Sequence, residues 1–120
     1  MSRSLIYNKA LNFSVRIVYL YKYMTETKKE NIMSKQLLRC GTSIGANISE
    51  ALFAESTADF VHKLSIAQKE ANETENWLTL LEKTGLLSKR QYESITFDCN
   101  ELQKMLSSII LTTKTSKKSP

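Results

Sequence analysis

The sequence predicts an all-α protein, an antiparallel up-down-up-down four-helix bundle, and three observations carry that prediction. Apolar residues recur at steps of three and four in four separate segments, the rhythm of helices packed nearly side by side. The single proline is the last of the 120 residues, so nothing breaks a helix earlier in the chain. The segments are parted by short polar stretches with capping and turn chemistry, and short connections between long helices favour antiparallel neighbours. A chain of this length builds one core, here expected over residues 1–111.

The first helix, expected over 4–25, turns Ile6, Ala10, Phe13, Ile17, Leu20 and Met24 inward. Polar Thr25 to Asn31 leads to a second helix over 30–54, with Met33, Leu37, Cys40, Ile44, Ile48 and Ala51 on its apolar face. Ser56 and Asp59 are placed to cap a third helix over 57–84: a hydroxyl for a free amide, and a carboxylate near the positive helix end. That helix carries Phe60, Leu64, Ala67, Ala71, Thr74, Leu78 and Leu81, and Gly85 after it suits the left-handed residue of a helix end. Ser88 and Gln91 form a capping box for the fourth helix, over 88–112, with Tyr92, Ile95, Cys99, Leu102, Leu106 and Ile109 inward. Residues 112–120 hold no apolar side chain and are expected to be a flexible basic tail.

The run Gly41-Thr42-Ser43-Ile44-Gly45-Ala46-Asn47-Ile48 lies inside the second helix, where each glycine costs about 1 kcal/mol relative to alanine. A packing gain must offset that cost. Gly41, Gly45 and Ser49 make a small-residue ridge at four-residue spacing, which lets a neighbouring helix come close. A phosphate cradle is the poorer reading, because no Gly-Lys-Ser/Thr follows and mid-helix amides are already bonded. If the hairpin of helices two and three turns near Glu55, Arg39 falls level with Glu70. An Arg39–Glu70 ion pair is then expected to fix register, with Glu50 in the same hairpin and Asn47 bonded across it.

No catalytic or metal constellation is present in the sequence. His62 is the only histidine, and its i, i+3 partner Asp59 supplies half of one motif where carboxylate-bridged metal bundles need two Glu-x-x-His pairs and two more glutamates. Cys40 and Cys99 lack ligand spacing and read as small buried hydrophobes. No cofactor is expected, no apolar run approaches a membrane span, and no signal pattern opens the chain, so a cytoplasmic protein is expected.

Charge and one extra apolar stripe point outward. The net charge is +5, and residues 1–40 hold eight Lys or Arg against two Glu. Lys9, Arg16, Lys22, Lys28, Lys29 and Lys35, with Lys114, Lys117 and Lys118 near the end of the chain, are the candidates for contacting RNA or DNA phosphates. The first helix bears a second stripe, Tyr7, Leu11, Val15, Val18 and Tyr21, largely opposite the first. A small bundle buries one face of each helix, so this stripe is a candidate homo-oligomer interface.

Helices two and three carry a family resemblance. Ser34-Lys35-Gln36-Leu37-Leu38-Arg39, the glycine run with Glu50 and Ala51, Ser56-x-x-Asp59-Phe60-x-x-Lys63-Leu64-Ser65-Ile66-Ala67 and Lys69-Glu70-Ala71-x-Glu73-Thr74-x-x-Trp77-Leu78-x-Leu80-Leu81 together resemble the 23S rRNA intervening-sequence proteins. That four-helix bundle family includes the accessory variability protein of diversity-generating retroelements. The resemblance implies a pentameric ring, no enzyme activity and, by the retroelement member, binding of nucleic acid and a reverse transcriptase through a basic surface. Asn72, Asn76 and Thr79 stand where similar proteins often have basic residues, and Glu75 adds negative charge, which moves the expected binding surface off helix three. The expected function is a non-catalytic accessory of nucleic acid or ribonucleoprotein; the alternative is a protein-interaction scaffold whose charge serves solubility alone.

Overall fold

A computed structural model describes residues 3–118, with side chains from Leu5 to Ser116. Four helices follow one another: α1 over Arg3–Glu26, α2 over Met33–Leu52, α3 over Thr57–Lys83 and α4 over Lys89–Lys118. The described residues contain no strand. They fill an elongated body of 55 × 22 × 19 Å, whose long axis is set by the helices. Register between neighbours shows that every adjacent pair is antiparallel. Gly41 meets Ile17 while Gly45 meets Ala10, Arg39 pairs with Glu70 while Glu50 pairs with Lys63, and Gln68 bonds Ser107 while Thr79 bonds Tyr92. Lys9 with Glu101 and Arg16 with Asp98 close the ring of helices between α1 and α4.

Local chemistry sets the ends. Ser56 accepts the Asp59 amide at 3.0 Å, and Ser88 and Gln91 bond each other's amides at 2.9 and 3.0 Å, a complete capping box. After α3, Gly85 adopts φ 81° and the Leu86 and Gly85 amides return to the Leu81 and Glu82 carbonyls, the paired bonds of a Schellman end. The start of α2 uses a device the sequence does not announce. Glu30 accepts the amides of Ile32, Met33 and Ser34 at 2.9–3.0 Å, and its own carbonyl accepts the Ser34 hydroxyl at 2.8 Å. Partial burial pulls the Glu30 pKa upward, but the amide bonds outweigh it and hold the carboxyl below its ordinary value of 4.5.

The core follows the four inward stripes. Phe13, Ile17, Ile44, Ile48, Leu64, Leu78, Leu102 and Leu106 are all at or below 2% exposure. Leu20, Met33 and Tyr92 are half-buried at its rim. Ile110, rather than Ile109, is the last buried residue of α4, because the stripe advances by four after Leu106 instead of by three. The polar residues inside bond backbone carbonyls four residues back at 2.7–2.8 Å: Thr74 and Thr96 within their own helices, and Ser34 in the turn before α2.

The fourth helix outruns its apolar pattern. It continues to Lys118 instead of ending near residue 112 in a frayed tail. Thr113 and Thr115 bond the carbonyls of Ile109 and Leu111 at 2.7 and 2.8 Å, and no proline intervenes before Pro120.

Two stability outcomes follow from these contacts. A Cβ on Gly41 would lie 2.9 Å from both γ-carbons of Ile17, which is fully buried and branched next to its backbone. On Gly45 it would meet the Ser14 hydroxyl at 3.3 Å and the Ala10 carbonyl oxygen at 3.6 Å. Urea unfolding should show Gly41→Ala destabilised by about 1–2 kcal/mol despite its better helix propensity, and Gly45→Ala within about 1 kcal/mol of the parent. Glu30→Gln should lose about 1 kcal/mol at pH 7. Because the folded-state pKa is depressed, the Glu30 contribution is full above the unfolded value and fades as pH falls through the folded one. The gap between parent and Glu30→Gln should therefore close well below pH 4.5.

Candidate nucleic-acid interface

The antiparallel order brings two turns far apart in sequence to one pole of the molecule: residues 27–32 after α1 and residues 84–88 after α3. Tyr23 and Arg90 line one cleft there, which places the two turns side by side. Lys22, Lys28, Lys29 and Lys35 all lie exposed at this pole. Lys83, Lys89 and Arg90 join them from the second turn, also exposed. Sequence reading missed those three; the up-down topology together with the position of Gly85 was the signal that could have placed them.

Among the described residues no ion pair involves any of these seven cations. Lys28 holds its ammonium 5.8 Å above the Tyr23 ring centre, a cation–π contact that leaves its charge intact. Glu30, which follows Lys29, is spent on the α2 amides, while Glu26 and Glu93 lie exposed near the same pole without an ion pair among the described residues. Lys29 has φ 58°, a left-handed conformation where glycine or asparagine is the usual residue. Its amide neighbour Glu30 bonds the Met24 carbonyl at 2.9 Å, which fixes the turn around it.

The other candidates divide. Lys9 bonds Glu101 at 3.1 Å, and Arg16 bonds Asp98 at 2.7 Å and Ser94 through both its carbonyl and its hydroxyl. These two charges are matched across the α1–α4 seam. Lys114 is exposed at the opposite pole, where Glu55 also lies exposed. The side chains of Lys117 and Lys118 lie outside the described residues.

The hairpin of α2 and α3 is a structural network. Arg39 reaches Glu70 at 3.6 Å, bonds Glu73 more closely, and takes Gln36 at 3.2 Å on its own helix. Trp77 donates its indole N–H to Glu73 at 3.2 Å, and Glu50 pairs with Lys63 at 3.1 Å. Asn47 does not bond across the hairpin. Its amide donates instead to the Ser43 carbonyl at 2.9 Å, the i−4 backbone acceptor that short polar side chains reach within a helix. On α3, Asn72 and Asn76 are exposed, Thr79 meets the Tyr92 hydroxyl at 3.1 Å, and Glu75 buries one carboxylate oxygen without a bond.

Reactive groups are muted. Burial pushes both thiols up, Cys99 to about 12, and they contact the carbonyls of Leu37 and Ala71 as neutral groups. His62 is exposed, and the described residues contain no group of three His, Cys, Asp or Glu side chains able to hold a metal. None of the described helices is long and apolar enough to cross a membrane.

The second stripe of α1 is open. Leu11 and Val15 are 46% exposed and Val18 37%, with Tyr7 and Tyr21 half-buried at the ends. Gly45 faces Ser14, so the α2 row Leu38, Thr42, Ser49 and Leu52 runs beside the α1 row Tyr7, Leu11, Val18 and Tyr21. Neither row holds a charge.

These features define a small antiparallel helical bundle with one basic pole and one uncharged flank. The chain belongs to the 23S rRNA-intervening sequence protein family, whose model matches residues 2–108. It is similar over 92% of its length to a crystal structure from Bacteroides thetaiotaomicron VPI-5482, a protein of unknown function from the S23 ribosomal protein family. The two are 56% identical, the match covers 98% of that chain, and the TM-score is 0.90. No curated protein matches the sequence.

Proposed function

We propose that this protein is a non-catalytic, homo-oligomeric accessory that binds RNA or DNA through the pole formed by the two turns. The observation that carries the reading is the set of seven exposed cations gathered there without an ion pair among the described residues. Lys29 adds to it: it sits exposed in the turn beside Lys28, in a left-handed conformation that costs a lysine about 1 kcal/mol. Binding through such a surface is electrostatic and indifferent to sequence. The family carries the name of a 23S rRNA intervening sequence, and that name supports an RNA partner.

Fluorescence anisotropy of a labelled RNA across a salt series tests this. About four phosphate contacts give a log–log slope of about −3 to −4. The Lys28→Gln, Lys29→Gly double variant should flatten that slope by between about 1.4 and 1.8. Lys9→Gln, whose charge is already matched by Glu101, should leave it unchanged. Lys29→Gly alone should bind more weakly yet unfold at higher urea, by about 0.5–1 kcal/mol of stability. A flat salt response in the parent overturns the reading and favours the scaffold alternative.

The uncharged flank of α1 and α2 supports self-association, with the ring of five implied by the family resemblance as its form. Apolar area left open on a chain this small is usually covered by a partner. Light scattering should give a multiple of 13.7 kDa at micromolar concentration. Val15→Lys should return the chain to 13.7 kDa without unfolding it, since Val15 is 46% exposed in the single chain.

A further inference from the structure

The seam between α1 and α4 opens toward the basic pole. Below, it is latched by Lys9 with Glu101 and Arg16 with Asp98. Above the Arg16 latch the helices part around a cleft of about 480 Å³, within the size of ordinary small-ligand sites. Its floor is apolar: Leu87 and Ile95 are buried and Leu20 half-buried. Tyr19 and Tyr23 stand along the α1 side, Tyr19 being 66% exposed. Arg90 stands on the α4 side with no ion pair among the described residues. Gln91 uses its amide oxygen to cap α4, and its NH₂ group makes no bond among the described residues.

We propose that this cleft seats one unpaired base of a single-stranded nucleic acid, with the base against Tyr19 over the apolar floor and the adjoining phosphate at Arg90. An aromatic wall beside an unpaired guanidinium is the arrangement that takes a planar ring joined to an anion. The cleft opens among the cations of the pole, and a nucleic-acid strand supplies both the ring and a run of charges long enough to meet them. A duplex does not fit, because its base faces are covered by their neighbours in the stack. The free Gln91 NH₂ is a donor for a base edge. The site adjoins the edge of the uncharged flank: Tyr19 is turned about 100° from Val18 but lies one turn beyond Val15, about 40° from it, so the oligomer mass of each variant is part of the test.

The inference rests on the nucleic-acid reading of the pole, and three probes separate the two: a single strand of RNA, a duplex of the same length, and a strand of abasic sugars with the same charge. Anisotropy titrations of parent, Tyr19→Ala and Tyr19→Phe are compared, with light scattering on each. The parent should prefer the normal strand over the abasic one. Tyr19→Ala should lose about tenfold affinity for the normal strand, stay within about twofold on the other two probes and keep the salt slope, while Tyr19→Phe binds like the parent. Equal binding of all three probes, unchanged in Tyr19→Ala, overturns the cleft and leaves the pole standing. Binding of none removes both. A fall in oligomer mass in Tyr19→Ala also overturns it, since the cleft would then hold a second copy of the chain.

Discussion

The approach of α2 to α1 at Gly41 and Gly45 is the constraint on which the rest of the bundle depends. At Gly45 the two backbones lie close enough that an added carbon would sit 3.6 Å from the Ala10 carbonyl oxygen. At Gly41 the missing side chain is replaced by Ile17, which buries itself completely in the gap. A pair of helices at this separation leaves little freedom in how α3 and α4 complete the square. The propensity lost at two glycines is recovered as dispersion contact and as a fixed distance between axes.

Polar groups then set the longitudinal register. Arg39 spans Glu70 and Glu73, one helical turn apart, and Trp77 locks Glu73 in turn. Such half-exposed pairs add little stability, but a one-turn slip of α3 along α2 would leave the guanidinium with one carboxylate at most. On the other side, Lys9 and Arg16 do the same for α4 against α1. That second pairing also matches the charges of two cations, Lys9 and Arg16, that the sequence alone leaves among the candidates for phosphate contact.

What was legible in the sequence was local. Helix caps at Ser56 and Ser88, the left-handed glycine at 85 and the inward residues of α3 all follow from spacing within one or two turns. What was not legible depended on neighbours. Which lysines remain unpaired is decided by carboxylates ninety residues away, as Lys9 and Glu101 show. Lys83, Lys89 and Arg90 belong to the basic pole only because two turns meet there. Asn47 shows the opposite case: an interhelix bond was expected, and its amide donates to the Ser43 carbonyl of its own helix instead. Glu30 hid its role because its ligands are amides, which carry no sequence signal.

The alternation of helix direction has an electrostatic corollary. Antiparallel neighbours cancel each other's macrodipoles, so the polarity of this 55 Å rod comes from its side chains alone. A rod of that kind reports the point group of its assembly. In a cyclic ring whose copies stand along the axis, no copy is inverted, so all the lysine-bearing ends would share one side and the assembly would have two unlike faces. Dihedral symmetry would place them on both sides. Such an assembly would turn one charged face toward any polyanion and leave its reverse free.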